Sequence, residues 1–214
     1  MTYFLLYIIM CPLMRLLMRV LGRIQSLGEG HVPMSGPVIF CPNHLSDCDP
    51  VALFVTTPRR TWFLAKAELF DIPYLGWFIA HFHGIPIKRD SADRTALKKA
   101  EALLKRGKPL VIFPEGRLSE DGRLQRIQPG AALLSVRTGA PIVPTGLQNT
   151  DQIIPYGSVT PTFSRDPVRV MFGPPISPAD YAHLPRAQAI EAITRKLGEE
   201  LARLTGQPTH DSLD

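Results

Sequence analysis

The 214 residues are 45% hydrophobic and 20% charged, a balance that supports one α/β core and excludes a chain left disordered for want of apolar surface. Three cysteines, Cys11, Cys41 and Cys48, with no Cys-x-x-Cys pair, exclude a disulfide framework and fit a reducing compartment. A formal charge of +5 suits an anionic partner, yet there is no basic run, zinc-finger spacing or RNA-binding aromatic signature, so nucleic acid is set aside and lipid comes forward.

Residues 3–14 are almost wholly apolar, but a run of 12 falls short of the roughly 20 residues of a spanning helix. No basic segment precedes it and no small-residue cleavage site follows, which argues against a signal peptide. Pro12 is expected to kink or restart the helix, or to turn a short re-entrant pair. Beyond it Leu13, Leu16, Leu17, Val20, Leu21 and Ile24 recur at helical spacing, with Arg15, Arg19 and Arg23 four apart along one edge. An apolar arc bordered by arginines is the pattern of a helix lying among lipid headgroups; an amphipathic helix packed on its own domain is the alternative. Residues 1–30 are therefore expected to form an amphipathic membrane-surface helical segment, holding the protein peripherally or monotopically on the cytoplasmic face of the cell membrane.

From residue 37 short β-like runs alternate with longer helical stretches. Strands are expected at 38–41, 61–65, 85–88, 110–113, 142–145 and 168–172,. Helices are expected at 50–55, 73–82, 94–106, ended by Gly107, and 131–138, ended by Gly139,. Residues 147–167, rich in Pro, Gly, Ser and Thr, read as a surface loop with an irregular strand, and 186–204 as a closing helix. The pattern is a layered α/β domain with a mainly parallel sheet flanked by helices, over 31–206, followed by a polar tail at 207–214,.

The segment from Asn43 to Pro50 follows the first core strand directly, at the edge of an open α/β sheet where ligands bind. His44 and Asp49 can meet across a loop into a helix start. The carboxylate then fixes one imidazole nitrogen and leaves the other as a proton acceptor, which is hydrolase-triad logic with a substrate hydroxyl as nucleophile. Asp49 before Pro50 is equally a helix cap. The spacing by itself does not choose.

The residues around this pair resemble the glycerolipid acyltransferase family that includes the lysophosphatidic acid acyltransferases. Its first block, Asn-His and a later Asp, is met by Asn43, His44 and Asp49; its second, Gly-x-x-x-x-Arg, by Gly84 to Arg89. Its Phe-Pro-Glu-Gly block is met by Phe113, Pro114, Glu115 and Gly116 with Ser119, and its apolar strand ending in Val-Pro by Ile142, Val143 and Pro144. The stretch from Ala65 through Lys66 to Trp77 is similar as well. The resemblance spans about residues 37–176. Arg117 stands one place earlier than the family's usual arginine, as in some lysophospholipid acyltransferases.

The resemblance implies acyl transfer from acyl-CoA or acyl carrier protein to the hydroxyl of lysophosphatidic acid, with His44 as general base and Asp49 orienting it. Another lysophospholipid, such as lysophosphatidylethanolamine, is the second acceptor. Asn43, Lys66, Gly84, Arg89, Glu115, Gly116, Arg117 and Ser119 are expected at the substrate. Arg89 and Arg117 offer planar forks for a phosphate, with Lys66 and Lys88 as helpers. Glu115 would hold glycerol hydroxyls or brace Arg117, and Gly116 would allow close backbone approach. No metal or bound cofactor is called for, since a thioester is already activated. Two other classes stay open: a metal-dependent hydrolase built on His44, Asp47 and Asp49, and a silent membrane-surface scaffold. His81 and His83 read as helix-end positions, and Cys48 as filler.

Overall fold

A computed structural model of the chain describes residues 2–73, 75–87 and 94–208, with side chains from residue 9 onward except at 75, 78 and 94. Its strands are β1 (Gln25–Leu27), β2 (Val38–Pro42), β3 (Trp62–Lys66), β4 (Gly84–Ile87), β5 (Pro109–Val111), β6 (Ile142–Gln148) and β7 (Arg169–Phe172). They form one sheet in the order β1-β7-β6-β2-β5-β3-β4, parallel throughout except between β6 and β7. Every residue of β2 is buried, which is why it reads as an unbroken apolar run: a central parallel strand is covered on both faces.

The helices are α1 (Thr2–Gly22), α2 (Asp49–Thr56), α3 (Leu75–His81), α4 (Arg94–Lys105), α5 (Gly130–Thr138) and α6 (Arg186–Thr205). One core packs α4, α5 and α6 on the sheet through Ala100, Leu104, Leu134, Ile193, Leu197 and Leu201. The other packs α1 and α2 on the opposite face through Met18, Ala52, Leu53 and Val55. Gly107 and Gly139 adopt the left-handed conformation expected of helix-ending glycines,.

Three expectations change. α1 runs through Pro12 without restarting; Pro12 removes one helical donor, but it lies on an exposed side where solvent can replace it,. β1 was not foreseen, because three residues carry no alternation to read. Residues 149–168 hold turns and no strand, because β6 itself continues to Gln148.

α1 joins both readings of its sequence. Cys11 and Met18 are buried, Met18 lies against Cys48, and Arg15 Nε donates to the Val55 carbonyl at the end of α2 at 3.0 Å. Its other side exposes Ile9, Leu13, Leu16, Leu17 and Val20. No helix among the described residues is long and apolar enough to cross a membrane.

Candidate active site

Because β2, β3, β4, β5 and β6 run parallel, whatever follows their carboxyl ends gathers along one edge of the sheet,. Asn43 and His44 follow β2 there, Phe113 to Glu115 follow β5, and Lys66 ends β3. The buried Asn43 side chain extends the β2–β6 ladder where the strands part. Its Nδ2 donates to the Leu147 carbonyl at 3.1 Å and its Oδ1 accepts the Leu147 N–H at 2.7 Å. The amide copies a main-chain pair and sets the chain's exit toward His44.

His44 Nδ1 lies 2.9 Å from Asp49 Oδ2, with Asp49 wholly buried and the His44 side chain 12% exposed. The same Oδ2 accepts the N–H of Leu45 at 2.7 Å and of Ser46 at 2.9 Å. Asp49 therefore points back into the loop, and its side chain does not cap α2. With the carboxylate oxygen accepting, Nδ1 is the donor of this contact, and a neutral ring so held has its lone pair on Nε2,. Asp49 Oδ1 is buried and meets no hydrogen-bond partner among the described residues. The His44 ring stacks on Phe113 at 3.9 Å between centroids.

Glu115 is 5% exposed and uses both carboxylate oxygens on main-chain donors. Oε1 accepts the His44 N–H and Oε2 the Gln125 N–H, each at 2.7 Å. Burial pushes its carboxyl up to about 7, partly offset by those two amides; Asp49 adds to the rise and Arg117 opposes it. The loop is fastened again by the Ser119 N–H, which donates to the His44 carbonyl at 2.8 Å.

The remaining predicted residues divide. Arg117 is exposed beside this loop and donates from Nη2 to Gln125 Oε1 at 3.1 Å. Gly116 holds a φ of 74° that side chains resist,. The Ser119 hydroxyl is buried and donates to the Arg123 carbonyl at 2.8 Å, so it shapes the turn. Lys66 is exposed at the same edge. Gly84 does not join them: it opens β4, opposite Phe63, at the far edge of the sheet. A Cβ there would stand 2.3 Å from Ile79 Cγ2, so its smallness serves packing. Lys88 and Arg89 lie outside the described residues.

Sequence reasoning missed Phe113 as the floor of the histidine, Gln125 as the link between Glu115 and Arg117, and Ile154 as a brace of the loop after His44. Ser46 Oγ donates to the Ile154 carbonyl at 2.7 Å, which no local signal announces. Pro50, Leu53, Phe54, Phe63, Phe82 and Phe113 are among the residues lining a mostly apolar cavity of about 20 Å³, and Phe113 is the residue on which the His44 ring stacks. Burial pushes the Cys48 thiol up to about 12, helped by Asp49, and a thiol so held is a poor nucleophile. Among the described residues no three His, Cys, Asp or Glu side chains converge as a metal site.

A family model described as Acyltransferase matches residues 23–148. The chain belongs to the acyltransferase family, in keeping with the four ordered blocks and the histidine–carboxylate pair at the sheet edge. It is 30% identical to the 1-acyl-sn-glycerol-3-phosphate acyltransferase of Bacillus subtilis over 89% of its own length and 92% of that protein. It is 34% identical to the chloroplastic 1-acyl-sn-glycerol-3-phosphate acyltransferase BAT2 of Brassica napus, over 70% of its length but 44% of that one. The crystal structure of the 1-acyl-sn-glycerophosphate (LPA) acyltransferase of Thermotoga maritima superposes with a TM-score of 0.66 at 28% identity, over 84% of this chain and 73% of that one.

Proposed function

We propose that this acyltransferase moves a fatty acyl group from acyl-CoA or acyl carrier protein to the free hydroxyl of lysophosphatidic acid, giving phosphatidic acid. The observation that carries the reading is the His44 Nδ1 to Asp49 Oδ2 contact of 2.9 Å, made to a fully buried carboxylate. It leaves Nε2 as the base. The hydroxyl gives its proton to Nε2 as its oxygen attacks the thioester carbonyl. Asp49 stabilises the imidazolium, and the proton passes to the sulfur as the carbon–sulfur bond breaks. No cofactor enters, and no acyl-enzyme forms.

The mostly apolar lining of the small cavity behind Phe113, with Leu53, Phe54, Phe63 and Phe82 among its walls, suits the hydrocarbon of a fatty acyl donor,. Arg117, with Arg89 and Lys66, receives the acceptor's phosphate. Glu115, whose oxygens are both engaged with main-chain amides, acts by holding the loop. The outward apolar side of α1 rests in the headgroup layer, on the cytoplasmic face of the membrane.

An assay of acyl transfer over a panel of lyso-acceptors with both donor types tests the reading. His44→Ala should lower turnover by about a hundred- to ten-thousand-fold or more while the melting temperature stays near wild type. Near-normal turnover would exclude His44 as the base. Arg117→Ala and Arg89→Ala should raise KM for lysophosphatidate far more than for the thioester, with partial rescue by lysine. A preference for lysophosphatidylethanolamine would move the activity to the second acceptor.

A further inference from the structure

The loop between β6 and β7 has a built neck and a bare tip. At the neck, Ile153 and Ser164 are buried, and the Thr162 N–H donates to the Ile153 carbonyl at 2.8 Å. Gln152 Oε1 accepts from Ser164 Oγ, Arg165 N and Asp166 N at 2.9–3.2 Å. Beyond the neck the chain turns outward, leaving Tyr156 53% and Val159 91% exposed, and Phe163, at the neck between Thr162 and Ser164, stands 71% exposed beside them. A neck so well fastened, carrying large apolar side chains into solvent, implies a partner that takes them up.

Two neighbours of the loop bear on what that partner is. The Ser164 and Val168 N–H groups donate to the Leu21 and Gly22 carbonyls at the end of α1, at 2.8 and 2.7 Å. Gly22 is also packed so closely on Ile153 and Val168 that a Cβ would stand 2.7 Å from Ile153 Cδ1. The tip is thus carried on the same support as the outward apolar side of α1. On the other side, Ser46 Oγ bonds to the Ile154 carbonyl at 2.7 Å, and the Tyr156 hydroxyl donates to Glu120 Oε1 at 3.1 Å. The loop therefore stands between α1 and the catalytic segment.

Charge favours lipid over a protein partner. Residues 152–164 contain no Asp, Glu, Lys, Arg or His, and residues 1–28 contain arginines but no carboxylate side chain. Arg19 on α1, Arg23 just after it and Arg165 at the neck are exposed beside these apolar groups; Asp166 is engaged by Gln152 Nε2 at 3.3 Å. An apolar tip without a charge of its own, with arginines on its α1 side and Glu120 only at the Tyr156 hydroxyl, suits the boundary between acyl chains and anionic headgroups.

We propose that the Tyr156, Val159 and Phe163 tip inserts into the lipid surface as a second anchor beside α1, so that two fastened elements fix the protein's tilt and turn the His44 edge toward the bilayer. This rests on the reading of α1 as a membrane-surface helix. Two anchors define an orientation where one helix leaves rotation about its axis free. An acceptor lifted from the bilayer then meets His44 beneath the loop.

The native cysteines are buried, so Val159→Cys can carry an environment-sensitive fluorophore, with Lys98→Cys, exposed on α4 across the sheet, as control. With vesicles of phosphatidylcholine and phosphatidylglycerol, the label at 159 should shift to the blue and be quenched by lipids brominated near the headgroup; the label at 98 should do neither. Val159→Asp with Phe163→Asp should weaken vesicle binding about tenfold or more, while turnover on a short-chain acceptor in free solution stays near wild type. Leu16→Asp with Val20→Asp is measured alongside. If wild type and the tip variant bind equally while the α1 variant detaches, the tip is not an anchor but the membrane reading stands. If wild type does not bind vesicles, both fall. A label at 159 that responds to protein concentration and not to lipid would assign the tip to a second copy and overturn the proposal.

Discussion

His44 and Glu115 are joined through the main chain: the Glu115 carboxylate takes the His44 N–H with one oxygen and the Gln125 N–H with the other, both at 2.7 Å. A residue that sequence would place at the substrate is thus a clasp between the loop that carries His44 and the loop that carries Arg117. The distinction has measurable consequences.

Burial leads the rise of the Glu115 carboxyl from its ordinary 4.5 to about 7. A group that holds its proton more tightly when folded contributes stability that is fully present below the unfolded value of 4.5 and lost as pH rises through about 7,. Urea denaturation across that window should show wild type losing stability relative to Glu115→Gln. The amide itself costs about 1–3 kcal/mol, since its NH2 faces one of the two main-chain donors. A fall in kcat with unchanged KM for the acceptor would accord with a clasp, and a rise in KM alone with a glycerol ligand.

Asp49 separates charge from architecture. Asparagine can place its oxygen where Oδ2 now accepts from His44, Leu45 and Ser46, so Asp49→Asn should keep the loop. It should lose turnover by a factor on the order of 10⁴, because the amide's NH2 can turn to the ring and admit the wrong imidazole tautomer, as in a triad whose carboxylate is replaced by its amide. Asp49→Ala leaves the Leu45 and Ser46 N–H groups without their acceptor and should cost about 1–3 kcal/mol for each. Equal melting losses in the two variants, with turnover intact in the asparagine form, would make the residue purely structural.

Asn43 pairs with Leu147 by donating and accepting. Asn43→Asp sets a carboxylate oxygen against the Leu147 carbonyl and should destabilise the protein by about 1–3 kcal/mol or more, read from chemical denaturation. KM for both substrates should stay close to wild type in the fraction that remains folded. A selective rise in one of them would return Asn43 to the substrate.

Gly84→Ala tests the placement of that residue at the far edge of the sheet. The added methyl meets Ile79 Cγ2 at 2.3 Å and the Ile79 carbonyl at 2.9 Å, so a loss of about 1–3 kcal/mol is expected from overpacking. The Michaelis constants should not move. A stable variant with a raised acceptor KM would contradict the packing role.

The α/β class, the strand positions from β2 to β7, the helices that end at Gly107 and Gly139, and the pairing of His44 with Asp49 are local in origin. They rest on periodicity, turn chemistry and a contact spanning five positions, which a linear chain displays openly. The apolar surface of α1 was legible for the same reason. What lay beyond reach depends on segments distant in the chain. Asn43 meets Leu147 across 104 positions, Glu115 reaches back 71 positions to His44, and Ser46 bonds to Ile154 across 108. Only the parallel sheet, by stacking β2 between β5 and β6, brings those residues to one edge. It also sends Gly84 to the opposite edge, because a strand's first residue and the residues after its last lie apart by the strand's own length, about 10 Å for β4. Sequence therefore supplied the chemical groups, while strand order and direction decided which of them share a site and which only hold it in shape.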